Sequence, residues 1–343
     1  MKSTFKQLGK AAAIAVSALA LVGFASTANA QAGRGVFTIV VDGSSTVFPI
    51  SEAAAAGFQT QTGGRVRVTV GESGTGGGFR KFCRGETHVQ DASRPITATE
   101  MTACANTGVQ YIEVPIAFDA LSVVVNPSNP IKEITVADLK KIWQPEAQAR
   151  ITNWKQVGPG YPDLPLTLYG PGTASGTFDY FTEAVNGKAK ASRTDYTPSE
   201  DDNILVQGVA GEAGAMGYFG MAYYEQNKDK IRALAVNSGK GGVYPSVEAV
   251  KAGKYVPLAR PIFIYVNVAA MKQKPVADFV NHYLTNAATY VSKTGYVPLP
   301  PAAYQTYASR VAKREAGTAF GGKADIGSSI EEVMSRKLVK TIQ

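Results

Sequence analysis

The chain has 343 residues, of which 45% are hydrophobic and 18% are charged, a composition that is typical of a folded globular protein and excludes a disordered one. Its formal net charge is +8. The basic residues are dispersed and are not interleaved with aromatic side chains, so the sequence gives no indication of a nucleic-acid-binding surface.

The N-terminal 30 residues have the pattern of an export signal. Three lysines precede an apolar run over residues 11–24, and Ala28-Asn29-Ala30 then supplies the small-x-small pattern of a signal peptidase site. The apolar run is shorter than the about 20 residues that a helix needs to cross a bilayer. We expect cleavage after Ala30. Because no cysteine adjoins that site, we expect a free periplasmic protein and not a lipoprotein.

Cys83 and Cys104 are the two cysteines of the sequence. In an exported chain such a pair predicts one disulfide, the alternative being two buried free thiols. The two histidines, His88 and His282, are isolated in the sequence. Without a cluster of histidine and reduced cysteine there is no metal-binding set, and we expect neither a metal nor a cofactor.

Strands and helices alternate in the first third of the chain. The apolar run 36–41 predicts a strand that is buried on both faces, followed by the hydroxyl-rich segment 42–49 and a helix. The β-branched run 66–70 predicts a second strand, followed by the glycine-rich segment 71–79 and a helix through Phe82. A short strand at Val89 leads into a further polar segment.

The later elements indicate a second lobe. The long apolar pattern 111–125 predicts a strand that crosses between lobes, and residues 255–259 predict the return crossing. Between them, the strand 166–169 leads into a third hydroxyl-rich segment and a helix. We therefore predict an α/β protein with two mixed-sheet lobes, residues 31–117 plus 256–343 and residues 118–255, joined by two crossing strands with a cleft between them.

The three hydroxyl-rich and glycine-rich segments share one pattern, in which a strand ends in glycine and hydroxyl residues and a helix then begins. Helix N-termini carry free backbone N–H groups that favour anions. Each segment alone could be an ordinary connection or helix cap. Together they predict one anion-binding site at the cleft.

Five motifs follow one another in chain order: Gly43-Ser44-Ser45-Thr46-Val47-Phe48-Pro49, Gly71-Glu72-Ser73-Gly74-Thr75-Gly76-Gly77-Gly78-Phe79, Asp91-Ala92-Ser93-Arg94-Pro95-Ile96, Ser175-Gly176-Thr177-Phe178 and Gly214-Ala215-Met216-Gly217-Tyr218. Behind an export signal, this set resembles the PstS-type phosphate-binding proteins of bacterial ABC importers, over about residues 36–297. The resemblance implies a type II periplasmic binding-protein fold that closes on a dehydrated phosphate, and membrane permease subunits as partners. We expect a monomer.

The resemblance also implies which residues bind phosphate. The expected donors come from all the motifs that border the cleft: Ser45, Thr46, Val47, Thr75, Gly76, Ser93, Ser175, Gly176 and Thr177. Many members of the family have an arginine four residues before the serine of the third hydroxyl segment, but this chain has Pro171 there. The cationic role is therefore assigned to Arg94. The acceptor for a phosphate proton is assigned to Asp91, because Ser93 and Arg94 occupy the place of the usual aspartate.

Two alternatives of other kinds are considered. A receptor for sulfate, molybdate or tungstate would use the same chemistry, since these are also tetrahedral oxyanions. A periplasmic phosphatase with Ser175 as nucleophile is less well supported, because Thr173 replaces the first glycine of the Gly-x-Ser-x-Gly motif. A nucleotide-binding loop is not indicated, since the glycine segment lacks the Gly-Lys-Ser/Thr ending. We expect no enzymatic activity.

Overall fold

The computed structural model of the protein describes residues 36–339. The predicted export signal and its cleavage site lie outside the described residues. Within residues 36–339, no helix combines the length and the apolar character needed to span a membrane.

The elements alternate as predicted. The fourteen strands of residues 36–339 are β1 (Phe37–Gly43), β2 (Val66–Gly71), β3 (Val89–Ala92), β4 (Tyr111–Ala120), β5 (Ser122–Val125), β6 (Glu133–Thr135), β7 (Thr167–Pro171), β8 (Thr197–Ser199), β9 (Ala215–Phe219), β10 (Arg232–Ala233), β11 (Ala235–Asn237), β12 (Gly242–Val243), β13 (Ala259–Asn267) and β14 (Val297–Pro298). The eleven α-helices of the same part of the chain are α1 (Phe48–Gln61), α2 (Thr75–Phe82), α3 (Ala98–Asn106), α4 (Val136–Trp143), α5 (Gly176–Asn186), α6 (Asp202–Gly211), α7 (Met221–Gln226), α8 (Val247–Lys251), α9 (Lys274–Lys293), α10 (Pro301–Lys313) and α11 (Ile330–Ser335).

The first lobe is built on a six-stranded mixed sheet in the order β14-β4-β13-β3-β1-β2. Strands β1, β2 and β3 are parallel, whereas β13 is antiparallel to both β3 and β4. Helices α1 and α9 pack together on this sheet, and α2 packs against β1 and β3. All four residues of β3 are buried, as expected for a strand that is covered on both faces.

The second lobe contains a five-stranded sheet in the order β10-β5-β9-β7-β8 and a three-stranded sheet in the order β12-β11-β6. Strand β7 runs parallel to β8 and β9, and β5 is antiparallel to β9. Aromatic rings fill the space between the larger sheet and its helices. Phe181 stacks on Tyr218 with 3.8 Å between the ring centroids, and Trp143 meets Tyr218 edge to face with 4.9 Å between the centroids. Both tryptophans of the chain are fully buried in this lobe.

Two neighbouring strands connect the lobes. Strand β4 belongs to the first sheet, and after Leu121 the chain continues as β5 in the second sheet. Strand β13 pairs with β4 along its whole length, from Ala259 to Asn267. The predicted return crossing at residues 255–259 leads from α8 into β13, which begins at Ala259.

The predicted disulfide is confirmed next to the cleft. Cys83 and Cys104 form a disulfide that ties the end of α2 to α3. Thr97 and Glu100 form a capping box at the start of α3. The 21-residue separation of the two cysteines encloses β3, the polar segment after it and the start of α3.

The C-terminal segment, residues 314–339, contacts the start of β4 through residues 317–319. The Gly317 amide donates to the Tyr111 carbonyl at 2.9 Å, and the buried carboxylate of Glu113 accepts from Thr318 Oγ1 at 2.6 Å and from the Ala319 amide at 2.7 Å. Near the end of the chain, α11 begins with a capping box formed by Ser329 and Glu332 and ends at Ser335.

Candidate anion-binding site

Four polar segments meet between the lobes. Residues 44–46, 73–75 and 93–94 each follow one of the parallel strands β1, β2 and β3, and residues 175–177 follow β7 of the second lobe. The carboxyl ends of parallel strands lie along one edge of a sheet, which is where α/β proteins bind ligands. The topology thus brings together segments that are more than 100 positions apart in sequence.

Hydroxyl groups from both lobes are in direct contact. Thr46 Oγ1 lies 3.0 Å from Thr177 Oγ1 across the cleft, and Thr75 Oγ1 lies 3.1 Å from Ser93 Oγ. We call these four residues the hydroxyl cluster, and each of them is at most 1% exposed. A cluster of buried hydroxyls offers several neutral donors within a small volume.

Gly176 fits against this cluster because it lacks a side chain. A Cβ atom at this position would lie 2.5 Å from Thr75 Oγ1 and 2.7 Å from Ser93 Oγ. These distances are shorter than real Cβ contacts, so only glycine permits the helix start of the second lobe to approach the first lobe this closely.

The hydroxyl groups at the starts of α1 and α2 remain available for contact with a ligand because they do not cap these helices. The N-cap of α1 is Val47 and that of α2 is Gly74, and neither helix has a side-chain cap hydrogen bond. Ser175 differs, since its Oγ accepts from the Thr177 amide at 3.0 Å and caps α5. The hydroxyl proton of Ser175 can still be donated elsewhere.

Two of the predicted backbone donors already have partners. The Val47 amide donates to the Ser44 carbonyl at 3.1 Å. The Gly76 amide donates to the Ala174 carbonyl at 2.8 Å, a hydrogen bond that joins the glycine segment of the first lobe to the second lobe. The Gly76 contact is therefore one of several that hold the lobes together.

Arg260 supplies a cation directly beside the hydroxyl cluster. Its Nη2 atom donates to Thr177 Oγ1 at 2.8 Å and to Thr46 Oγ1 at 3.3 Å, and it lies 2.9 Å from Asp119 Oδ2. Arg260 and Asp119 face each other on the neighbouring strands β13 and β4, and both are completely buried. The Tyr180 ring lies 5.5 Å from the guanidinium carbon.

The Asp119 carboxylate balances this buried charge. Burial raises its pKa, an effect that Arg260 and the Met221 amide, which donates to Asp119 Oδ1 at 2.9 Å, oppose. Our sequence reasoning missed Arg260. The indication that could have revealed it is a charged residue next to a strongly apolar run, since Arg260 immediately precedes Pro261 and the segment 262–266.

Arg94 lies beside the site but is bonded to carboxylates. Its Nε donates to Asp179 Oδ2 at 2.8 Å, and its two Nη atoms donate to the two oxygens of Glu100 at 2.8 Å each. A Cβ atom at Gly76 would lie 3.8 Å from Arg94 Nη2. The structure thus brings Arg94 close to the glycine-rich segment, although the hydrogen bonds of the Arg94 guanidinium go to protein groups.

One oxygen of the Asp91 carboxyl group bonds away from the hydroxyl cluster. Asp91 Oδ1 accepts from Ser51 Oγ at 2.9 Å, and Ser51 in turn contacts the Tyr283 hydroxyl at 3.0 Å, so this oxygen faces α1 and α9. Burial raises the pKa of Asp91 well above its ordinary value. Asp91 Oδ2 is buried and has no hydrogen-bond partner among the described residues.

A different aspartate reaches the site through Ser45. Ser45 Oγ lies 3.4 Å from Asp202 Oδ2 of α6, and the Ser45 carbonyl accepts from the Tyr223 hydroxyl of α7 at 2.9 Å. Asp202 is 1% exposed. Burial raises its pKa well above the ordinary value, although the positive charge of Arg260 opposes this.

Comparison with known proteins defines the class of this chain. Residues 28–287 match the family model of the PBP superfamily domain. The chain is 53% identical to Protein SphX of Synechococcus elongatus over 86% of this chain and 88% of SphX, and 36% identical to the phosphate-binding protein PstS of Staphylococcus saprophyticus over 82% of this chain and 87% of PstS.

Solved structures of similar proteins support the same class. A candidate phosphate-binding protein from Planctomyces limnophilus is 46% identical with a TM-score of 0.59, covering 80% of this chain and 98% of its own. A candidate phosphate ABC transporter substrate-binding protein from Clostridium perfringens, solved with bound phosphate, is 26% identical with a TM-score of 0.66. The match covers 77% of this chain and 100% of the Clostridium perfringens chain. The fold and site thus define a two-lobe solute-binding protein of the PBP superfamily. Within it, the chain belongs to the PstS-type family of phosphate-binding proteins.

Proposed function

We propose that this protein captures inorganic phosphate in the periplasm and delivers it to the membrane permease subunits of an ABC importer. The observation that carries the proposal is the buried hydroxyl cluster, which residues of both lobes form and which Arg260 contacts through Thr46 and Thr177. The names of relatives that cover most of the chain support the same function, since they include PstS phosphate-binding proteins.

The proposed ligand contacts combine neutral donors with one cation. A hydrogen bond to a charged partner is worth about 1.5–3 kcal/mol, so several fixed donors can offset the dehydration of an oxyanion without many positive charges. The proposed phosphate-binding residues are Ser45, Thr46, Val47, Thr75, Gly76, Ser93, Ser175, Gly176 and Thr177, with Arg260 added as the cation. Arg94 is proposed to act in a different way, described below.

We further propose that Asp202, and not Asp91, is the carboxyl group that discriminates among anions. It is buried and lies against Ser45, whereas Asp91 contacts Ser51. In its ionised form, which the positive charge of Arg260 favours, a carboxylate next to the anion accepts the proton of monohydrogen phosphate and repels an anion without a proton, such as sulfate. Asp202→Asn is therefore expected to narrow the difference between phosphate and sulfate affinity.

The remaining features of the proposal rest on the family and on the sequence. The chain is proposed to be a binding protein without enzymatic activity, to act as a monomer and to be exported with cleavage after Ala30. We propose lobe bounds at residues 117/118 and 255/256. The second bound lies just before β13 begins, whereas the first falls within β4, whose last three residues still pair with strands of the first sheet.

Isothermal titration calorimetry of the mature protein, residues 31–343, tests the function. Phosphate, sulfate, molybdate and tungstate are titrated separately after removal of bound anion by unfolding, dialysis and refolding. We expect phosphate to bind more tightly than the other three. Tighter binding of sulfate, molybdate or tungstate would contradict the phosphate assignment and support a receptor for another oxyanion. Release of phosphate from a phosphate ester on incubation would instead support an enzyme.

A further inference from the structure

Arg94 joins the two lobes through buried charges. It follows β3 of the first lobe, whereas Asp179 lies in the first turn of α5 in the second lobe. The Arg94 Nε to Asp179 Oδ2 distance is 2.8 Å, and the two side chains are 9% and 7% exposed. Ion pairs on the surface, such as Lys155 with Asp163 at 57% and 67% exposure, contribute little by comparison.

The first lobe holds the guanidinium in place. Glu100 accepts from both Nη atoms of Arg94, and its Oε2 atom also accepts from the Thr97 amide at 2.9 Å. The Arg94 Nη1 atom donates in addition to the Pro95 carbonyl at 3.1 Å. Because the guanidinium is fixed by its own lobe, approach of the second lobe has to order only Asp179, which lies on a helix.

The position of the pair is at the outer edge of the cleft. Arg94, Asp179 and Ala174 line a surface groove of about 570 Å³, whereas the hydroxyl cluster is buried beneath it. Separation of the lobes would break the Arg94–Asp179 contact and return both charges to water. This ion pair therefore exists only while the lobes are in contact.

From these contacts we propose that Arg94 is a positioning residue, whose ion pair with Asp179 holds the lobes closed and sets the rate at which the bound anion is released. The inference rests on the proposed function, because it concerns release of the same ligand. It assigns Arg94 to closure and Arg260 to the anion. Removing one member of a buried, hydrogen-bonded charge pair acts mainly on dissociation rates.

The test compares phosphate release rates by stopped-flow fluorescence, using a large excess of a phosphate trap. The variants are Asp179→Ala, Arg94→Ala and the double variant. The control is Glu183→Ala, which removes a carboxylate one turn further along α5 that lines the same groove. We expect Asp179→Ala and Arg94→Ala each to accelerate release at least about tenfold, the double variant to release no faster than the faster single variant, and Glu183→Ala to change the rate less than about twofold.

Direct contact between Arg94 and the anion predicts the opposite sign for Asp179→Ala. Removing that carboxylate would leave the guanidinium held by Glu100 and would lower the negative charge near the ligand, so release would slow or stay unchanged. That result, or additive effects of the two single variants, would overturn the proposal. Thermal unfolding without phosphate checks that the variants fold. If Asp179→Ala does not fold, Asp179→Asn replaces it, and we expect Asp179→Asn to release phosphate faster than the wild type does.

A second readout does not depend on which anion binds. Small-angle X-ray scattering of wild type and Asp179→Ala under identical conditions gives the mean radius of gyration, which is expected to be larger in the variant. Equal radii would count against the ion pair as a closure contact. Failure of the wild type to bind phosphate would refute the proposed function instead, and the scattering comparison would then decide the role of the ion pair.

Discussion

Thr177 contacts two other members of the site, so it shows what single side chains contribute. Its hydroxyl meets Thr46 across the cleft and accepts from Arg260. Replacement by valine keeps the shape of the side chain and removes the hydroxyl. The consequence for a buried anion is the loss of one hydrogen bond with a charged partner.

We therefore predict that Thr177→Val weakens phosphate binding at least about tenfold, which corresponds to about 1.4 kcal/mol or more. Calorimetric titration measures this. Thr306→Val is the control, because Thr306 lies exposed on α10 and bonds only to the Ala302 carbonyl within the described residues. Equal affinities for Thr177→Val and the control would remove Thr177 from the site.

Arg260 is the second residue whose role can be isolated. Arg260→Lys keeps a positive charge but loses the planar fork that reaches Thr46, Thr177 and Asp119 together. We expect phosphate affinity to fall at least about tenfold. Arg193→Lys is the matched control, since Arg193 is also buried but bonds to Asp195 and to carbonyls of the second lobe. It should lower stability while leaving affinity unchanged, and a similar loss of affinity in both variants would argue against a specific role for Arg260.

These two residues also show how far sequence reasoning reaches at this scale. Thr177 could be predicted because hydroxyl, glycine and helix start are adjacent in the chain. Arg260 could not be assigned, because its partners Asp119, Thr46 and Thr177 are 141, 214 and 83 positions away. For Arg94 the sequence correctly indicated a position beside the glycine-rich segment. Whether its guanidinium bonds to protein carboxylates or to an anion depends on the placement of α5.

Among the elements, the start of α5 depends most on a missing side chain. Gly176→Ala would place a Cβ atom against Thr75 and Ser93 of the opposite lobe. The clash is relieved when the lobes separate, so the variant should fold normally and close poorly. We predict that phosphate affinity falls about tenfold or more, in line with a cost of about 1–3 kcal/mol for overpacking, while the unliganded melting temperature stays within about 2 °C of the control.

The control is Gly211→Ala at the end of α6, where an added Cβ atom meets nothing within 4 Å. Its affinity should equal that of the wild type. An unchanged affinity in Gly176→Ala would show that the close approach seen at this position is not needed for binding.

The disulfide is the second prediction for the elements. In the chain-entropy account, joining residues separated by 21 positions stabilises the fold by about 3 kcal/mol. We expect dithiothreitol to lower the urea midpoint of the wild type and to have no effect on a Cys83→Ala/Cys104→Ala variant. Equal midpoints of the wild type with and without dithiothreitol, once loss of the disulfide is verified by mass, would contradict a stabilising role.

Element types were predictable from the sequence because strands here are apolar runs and helices start at glycine and hydroxyl residues. Bounds were less predictable. Helix α9 runs as far as Lys293, because its later turns pack Ala287 and Val291 into the core. Tertiary burial, not local propensity, decides where such a helix ends.

At the scale of the whole molecule, the contact between the C-terminal segment and the first sheet depends on pH through Glu113. Burial raises the pKa of Glu113 to about 7, although hydrogen bonds from Thr318, Ala319 and Tyr265 oppose this. The folded protein therefore holds a proton on Glu113 that the unfolded chain loses near its ordinary pKa of 4.5. Its contribution to stability is present below about pH 4.5 and is lost as the pH rises to about 7.

We predict that Glu113→Gln, which mimics the protonated acid, has a flatter dependence of stability on pH than the wild type. The difference in the free energy of unfolding, wild type minus variant, should fall by about 2.5 kcal/mol between pH 5 and pH 8. Urea unfolding at these pH values measures it. Parallel curves for the two proteins would mean that Glu113 does not titrate in this range.

At this scale the sequence predicted two lobes, a cleft and the family, because the order of motifs is a property of the chain. It did not predict the contacts between distant parts, such as the C-terminal segment on β4 or the carboxylates around Arg94. Such contacts join residues that carry no local pattern in common.

The location of Arg260 and Asp119 on the two connecting strands has a consequence for the path of the anion. Points near a hinge move least when two bodies rotate apart, so the single cation of the site stays almost in place while the outer contacts, Gly76 with Ala174 and Arg94 with Asp179, separate first. An anion held there keeps its electrostatic anchor during most of the opening motion. We therefore expect unloading in two stages, in which the lobes part while the anion is still bound and escape from Arg260 is the final and separate step.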